Sequence, residues 1–512
     1  MRAWLLLALV ACSAPPAATA PAARPQPSPP AASAPMSEPF EYDIPRISRD
    51  AGKAIFMRTG IGDPYRTGVP YPIFLAFLRA FPRTFGGNPQ ALADTFGFVA
   101  RSPDPTSDDL DVREGLPLGM HLTTDPITNV PFVVTSCALC HAERLRWRGG
   151  EATVIGLANK RVRIHAYDAA FAQITRARGF DAAHIGRLAR EEAAAHHIAW
   201  PDRYADAIVG ATLAALKQRA AARAELRART ADAPPGRVAT IESFIGVLGQ
   251  LAHAHVTYAP VVGWAKVPDV IGFAVRTTLS WDASGEGPMD LLAVEADVAA
   301  GVRVEWLERH PFQGASLGAY LRQPEPRPPF PGRVDRELAA RGRTLFADNC
   351  SHCHGTYAPD GRVVDYDEQV VRLEDVRTDP ARAQAATASF ETAANDPELT
   401  RGFTRFRRTG GYVPPVLTNV WARGPYGHAG QWPSLAILAT PPDQRPSQIV
   451  LRFDEPYDLA AVGVATRVPG GALAHGEYLH DASRPGLSVA GHPFLADLGA
   501  DAPAVIEYLK TL

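Results

Sequence analysis

No methionine follows Met289 in this 512-residue chain, and only five occur at all, at positions 1, 36, 57, 120 and 289. The C-terminal third therefore has no thioether donor of its own. Cysteine is equally sparse: of five, four fall in two short motifs and the fifth is Cys12. No thiol is left for a disulfide framework, or for a four-cysteine zinc site built outside the motifs. A formal net charge of -2 removes the electrostatic case for a nucleic-acid partner. Beyond the first residues no segment reaches the roughly 20 apolar residues of a membrane span.

What the chain does have is one pattern twice: Cys137-Ala138-Leu139-Cys140-His141 and Cys350-Ser351-His352-Cys353-His354. In Cys-x-x-Cys-His, two thiols can add to the vinyl groups of a haem while the next imidazole ligates its iron. The same spacing suits zinc or a redox dithiol, but the cysteine count favours haem. The expected cofactors are two covalently bound haem c groups, with Cys137, Cys140, Cys350 and Cys353 as attachment points and His141 and His354 as proximal ligands.

The N-terminus fits a secretory signal, with Arg2, an apolar run from Trp4 to Val10, and small Ala11 before Cys12. Leu9-Val10-Ala11-Cys12 resembles the bacterial lipobox, which implies a signal peptide over 1–11 and lipidation of Cys12; the alternative is an ordinary signal cut near Ala20. Residues 12–39, rich in Ala and Pro, then read as an extended tether. The expected location is extracytoplasmic, in the periplasm, with the protein held on a membrane by its lipid anchor.

About 470 residues remain, enough for two or three domains. Proline is frequent, at 47 residues. The run Gln323-Pro324-Glu325-Pro326-Arg327-Pro328-Pro329-Phe330-Pro331-Gly332 cannot be helical, so 323–334 reads as a linker between a haem domain at 40–322 and a second at 335–512. In the second, Asp335 can cap a helix carrying Leu338, Gly342, Leu345 and Phe346 into Cys350. Asp501 can cap a last helix presenting Val505, Tyr508, Leu509 and Leu512. Gly342 is the candidate for the close crossing of these two helices. In the first, Pro70 to Phe81 reads as a core helix, and the Ala/Arg/Glu-rich stretch of about 181–231 as a solvated helical insertion broken at Trp200-Pro201. The expected fold is mainly α: two c-type haem domains of cytochrome c-like type, with a helical insertion in the first.

The sixth ligand decides what each iron can do, because a filled position favours electron transfer and an open one admits peroxide or dioxygen. Unless Met57, Met120 or Met289 reaches across, the second iron has no thioether. His428, His475, His480 and His492 are the alternatives. A surface or hydrogen-bonded role is expected for His475 and His480, and His428 can ligate or hold a propionate. For the first iron, His121 and His165 are the side chains able to close the site. Lys160, Arg161 and Arg163 can bind propionates or form a solvated basic turn.

Val420-Trp421-Ala422-Arg423-Gly424-Pro425-Tyr426-Gly427-His428-Ala429-Gly430, Pro433-Ser434-Leu435, Tyr457-Asp458, Val462-Gly463, Gly491-His492 and the ending Ile506 to Leu512 carry a family likeness. The C-terminal third resembles the bacterial di-haem cytochrome c peroxidase and MauG superfamily, within it the branch that includes rubber oxygenase. The resemblance implies that His492 is the distal ligand of the second iron and that His428 supports the haem edge. Where simple peroxidases carry a distal methionine, this chain has Thr440-Pro441-Pro442. In the first half the likeness is thinner. Ser280-Trp281-Asp282 resembles a segment whose tryptophan relays electrons between haems, with Ala283 in place of its glycine; the alternative is an ordinary core aromatic. The same alignment implies that Glu295 or Glu305 moves protons during peroxide cleavage, against the alternative of a surface charge. The long stretch between Cys137 and Cys350 suggests an insertion on the substrate side.

The resulting expectation is an extracytoplasmic di-haem oxidoreductase of peroxidase or oxygenase type. The first haem would activate peroxide or dioxygen, and the second would exchange electrons with a donor or acceptor protein. The alternative is a membrane-tethered carrier with both irons closed; a third reading is modification of a partner protein.

Overall fold

Proline opens and closes the helix at the centre of the first core. Tyr71–Ala80 begins with Pro72 in its first turn and stops before Pro82, and its residues from Tyr71 to Leu78 are all buried. In the computed structural model, residues 47–252, 256–324, 326 and 328–512 are described. The segment 1–11, Cys12 and the tether 12–39 lie outside the described residues, as do Glu325 and Arg327 of the Pro-rich linker.

Helix makes up 43% of the structure and strand 13%, so the fold is partly helical, with strands confined to two- and three-stranded sheets. The Ala/Arg/Glu-rich segment forms helices Ala182–Ala195, Ala205–Ala222 and Ala224–Arg229. It is more than a solvated face. Ile185, Leu188, Ala189, Val209 and Leu213 are buried in the same core as Phe74, Phe77 and Phe180, while Arg187 and Glu191 pair outward at 2.6 Å.

After the first motif the chain forms a hairpin, Ala142–Trp147 with Gly150–Ile155, paired from Ala142↔Ile155 to Trp147↔Gly150. Its inner residues Leu145 and Val154, with Leu157 and Ile271, enter a core otherwise made by Phe346, Trp421, Tyr426, Trp432, Leu451 and Tyr508. Packing is thus continuous across the Pro-rich linker, and the described residues form one compact unit.

Two helices frame the second motif. Arg336–Asn349 is capped by Asp335, whose carboxylate accepts from the Glu337 and Leu338 N–H groups at 3.1 and 3.0 Å. The last helix, Ala502–Leu509, packs on it with Val505, Tyr508 and Leu509 buried. A Cβ on Gly342 would sit 1.8 Å from the Ala504 carbonyl oxygen, so the contact requires glycine. Asp501 does not cap the last helix through its side chain, and instead pairs with Arg341.

Candidate functional site

Helix Arg336–Asn349 runs into Cys350, and one turn, Ser351–His354, presents the rest of the second motif. Cys350, Cys353, His354 and His492 line one largely apolar cavity together with Leu417 and Leu509. His354 Nδ1 lies 2.8 Å from the Pro415 carbonyl. As an N–H donor there it leaves Nε2 as the basic nitrogen, the usual way a ligating imidazole is oriented.

His492 comes to the same cavity on a strained loop. Its φ is +46°, and Gly491 before it has φ +80°, a region that costs a side chain about 1 kcal/mol or more. A Cβ at Gly491 would meet the Arg377 and Thr378 backbone at 2.4 Å. Three groups hold this loop. The His492 N–H donates to the Val376 carbonyl at 2.8 Å. Trp432 Nε1 donates to the Val489 carbonyl at 2.9 Å. Arg445, buried and without a carboxylate partner among the described residues, donates to the carbonyls of Leu438, Thr440, Val489, Gly491 and His492. Sequence reasoning missed Arg445; its bonds are all to backbone, which no side-chain pattern reveals.

The His354 and His492 ring centroids are 6.2 Å apart, tilted by 53°. Two imidazoles on one metal, each at about 2 Å, have centroids about 6 Å apart, so the spacing fits a single shared ion. His492 Nδ1 is buried without a hydrogen-bond partner. Burial, and then His354 nearby, pull the His492 ring down to about 3, which keeps it neutral and able to ligate. The Cys350 thiol is pushed up to about 11, mainly by burial. Among the described residues no group of three or more His, Cys, Asp or Glu side chains forms a metal site by itself.

His428, Trp281 and Lys266 line the same cavity. His428 is stacked on Tyr412 at 4.1 Å and 14°, and burial, then Arg382, lower it to about 3. The Trp281 indole N–H donates to the Lys266 carbonyl at 2.8 Å. Asp282 next to it forms a buried pair with Arg382 at 3.1 Å. Ala283, where the resembling family has glycine, has φ +54°.

The first motif repeats the proximal arrangement of the second. His141 Nδ1 lies 2.9 Å from the Pro268 carbonyl, as His354 does from that of Pro415. Phe56, Phe273 and Met289 are buried against Cys137, with Met57 beside them. Burial pushes both thiols up, that of Cys140 to about 12. Helix Met289–Ala300 supplies two buried acids. Glu295 is fully buried, accepts from the Arg405 N–H at 3.1 Å, and is raised by burial to about 8, with Oε2 unpartnered. Asp297, not singled out from sequence, is raised by burial to about 7 and acts on the Cys137 thiol electrostatically. Glu305 is on the surface, 3.7 Å from Arg401.

The remaining candidates are otherwise engaged. His121 Nδ1 pairs with Asp111 at 2.6 Å. His165 Nε2 accepts from the Ala239 N–H at 3.0 Å. Lys160 neighbours Glu143 at 3.9 Å and covers the Tyr457 ring, Arg161 pairs with Asp454 at 3.3 Å, and Arg163 is exposed. His475 is at the surface against Asp454, whereas His480 is buried in strand Glu477–Asp481. Met120 belongs to the first core.

No family model matches the chain. It is similar to the uncharacterized protein y4iM of Sinorhizobium fredii (strain NBRC 101917 / NGR234), 27% identical over 308 residues that cover 50% of this chain and 67% of that protein. It is also similar to the uncharacterized protein y4iJ of the same organism, 26% identical over 245 residues, 35% of this chain and 40% of that protein. Neither name states an activity.

Proposed function

We propose that this protein is an extracytoplasmic di-haem c-type oxidoreductase of peroxidase or oxygenase type. The observation that carries the reading is the pair His354 and His492, set 6.2 Å apart across the cavity that the Cys350 and Cys353 thiols also line. Bound haem supplies one-electron chemistry at iron, with a filled sixth position favouring electron transfer and an open one admitting peroxide or dioxygen.

Within that reading the chain's residues divide the work. Cys350, Cys353, His354 and His492 would hold the second haem, which would then supply electron transfer. Cys137, Cys140 and His141 would hold the first. Among the described residues no histidine is paired with His141 as His492 is with His354. Trp281 stands in the wall of the second cavity and is bonded to Lys266, two residues before the Pro268 carbonyl that orients His141, a suitable position for an electron relay. Glu295, held protonated near neutrality by burial, is the better-placed proton donor of the two glutamates; Glu305 lies at the surface in an ion pair with Arg401.

One observation favours a pure carrier. Met57 and Met289 pack with Cys137 in one cluster, and a thioether from either would close the first iron. The spin states separate the two. The full-length protein, matured with covalent haem in the periplasm, is expected to show one high-spin and one low-spin ferric centre, and to change at the high-spin centre on adding peroxide. Two low-spin centres inert to peroxide would establish the carrier, and absence of covalent haem after acid-acetone extraction would reject both.

A further inference from the structure

The wall of the second cavity holds a buried lysine whose amine is bonded to a carbonyl and not to a carboxylate. Lys266 is 5% exposed, and its Nζ donates to the Arg423 carbonyl at 2.5 Å. Among the described residues it forms no ion pair. Asp269, an acid in the same cavity wall, is taken by Arg423 at 3.0 Å. Burial pulls Lys266 down to about 7, with the charge of nearby Asp269 opposing the shift. Two more polar groups share the wall with it. His428 Nε2 is buried without a partner. The Thr378 hydroxyl accepts from Gln431 Nε2 at 3.1 Å, and its own proton is left to donate. The backbone ties these groups together: the Lys266 N–H donates to the His428 carbonyl at 2.6 Å, and the Gly491 loop backs onto Thr378. The rest of the lining is mostly apolar.

We infer that Lys266, with His428 and Thr378, forms a carboxylate-binding corner that receives an acidic side group of the molecule seated in this cavity. Under the di-haem reading, on which this inference rests, that group is a haem propionate. The corner then fixes which edge of the haem lies against Trp281 and Lys266, and it neutralises the propionate with a cation that makes no ion pair among the described residues. This role differs from that expected of Lys160 and Arg161, whose charges are spent on Glu143 and Asp454.

The test uses the full-length, haem-loaded protein and compares the parent with Lys266→Met and Lys266→Arg. Three quantities are read: haem per chain from the alkaline pyridine spectrum, the midpoint potential of the low-spin centre, and its propionate bending bands by resonance Raman. Lys266→Met is expected to keep two haems, because the thioethers remain, while the potential falls and the propionate bands shift. A lost neighbouring cation favours ferric over ferrous iron. Lys266→Arg is expected to restore both signals towards the parent. Unchanged bands in Lys266→Met with two haems bound would overturn the carboxylate assignment and leave the di-haem reading standing. A parent potential that moves on adding acetate would overturn it too, since the anion would then be diffusible. Fewer than two haems in the parent would instead defeat the reading beneath it. If Lys266→Met does not accumulate, Thr378→Val is read for the same band shift, and its absence has the same force.

Discussion

Asp269 and Arg423 form a buried ion pair at 3.0 Å; the first adjoins, and the second is hydrogen-bonded next to, a carbonyl that orients a motif histidine. Asp269 follows Pro268, the acceptor for His141; Arg423 donates to the carbonyl of Val416, which follows Pro415, the acceptor for His354. The two proximal loops are therefore fastened to each other and not only to their own histidines. Arg423→Met leaves the buried Asp269 carboxylate with only the weaker pull of Lys266, a loss of up to about 3–5 kcal/mol. Denaturant unfolding is expected to show that loss, and the double variant Asp269→Asn with Arg423→Met is expected to recover part of it. Equal stability of the single and double variants would mean that the pair is not coupled.

Gly342 is the point where two helix backbones touch. Because the obstructing atom is the Ala504 carbonyl oxygen and not a movable side chain, Gly342→Ala has to push the last helix away. The expected loss is about 1–3 kcal/mol, against the small gain in helix propensity that alanine brings. A thermal midpoint equal to or above the parent's would show that the helices can separate without cost.

The elements bearing the strongest local signals were the legible ones. Asp335, the periodicity into Cys350, the Pro-flanked helix Tyr71–Ala80 and the pairing of Gly491 with His492 could all be read from the chain. The hairpin Ala142–Trp147 with Gly150–Ile155 escaped notice because it directly follows a motif usually set among helices. Its signal was there: alternating Leu145 and Trp147 before Gly149-Gly150, with Gly149 at φ +100°. Arg445, Lys266, Asp269 and Arg423 were not legible, since their partners are backbone carbonyls or charges far away in sequence. Glu295 and Glu305 looked alike as letters, and only burial separates them. The Ala/Arg/Glu-rich helices read as solvated because alanine conceals a packing face: small residues bury a surface without showing a strong apolar stripe.

Ala283 occupies a left-handed backbone position beside Trp281. An L side chain there is strained by about 1–2 kcal/mol, part of which glycine gives back as unfolded-state entropy. Ala283→Gly is therefore expected to stabilise the protein by roughly 0.5–1 kcal/mol in urea unfolding, without altering the haem spectrum. Destabilisation would mean that the Ala283 methyl, which is fully buried, contributes more than the turn costs.

His165 predicts a pH dependence. Burial, and then Arg223, lower its ring to about 4, and its Nε2 must stay unprotonated to accept from the Ala239 N–H. The unfolded ring titrates near 6.5, so between about 6.5 and 4 the unfolded chain binds more protons than the folded one. This contribution is complete above pH 6.5 and is lost as the pH falls towards 4. His165→Gln keeps an acceptor but cannot titrate. It should reduce the acid loss of stability between pH 7 and pH 4.5 by about 1–3 kcal/mol, measured by denaturant unfolding at each pH. Identical slopes would place the titration elsewhere.

The axial assignment of the second centre is the sharpest test of the site, because two histidines from outside the motif, His428 and His492, line the cavity and only one faces His354. His492 is 6.2 Å from it, on a loop whose strained backbone is held by Arg445 and Trp432. His428 is clamped against Tyr412. His492→Ala is expected to convert the low-spin ferric signal to high-spin or water-ligated, read by electron paramagnetic resonance and the optical spectrum, while the other centre keeps its signal. Arg445→Met, which frees the loop without removing the ligand, should broaden or weaken the low-spin signal and leave the haem content at two. The parent should have a lower potential than a His/Met centre, because imidazole stabilises ferric iron better than a thioether does. If His428→Ala removes the low-spin signal and His492→Ala preserves it, the loop Gly424 to Gly430 closes the iron instead. The strain at His492 would then serve packing against Trp432 and Phe494, not ligation.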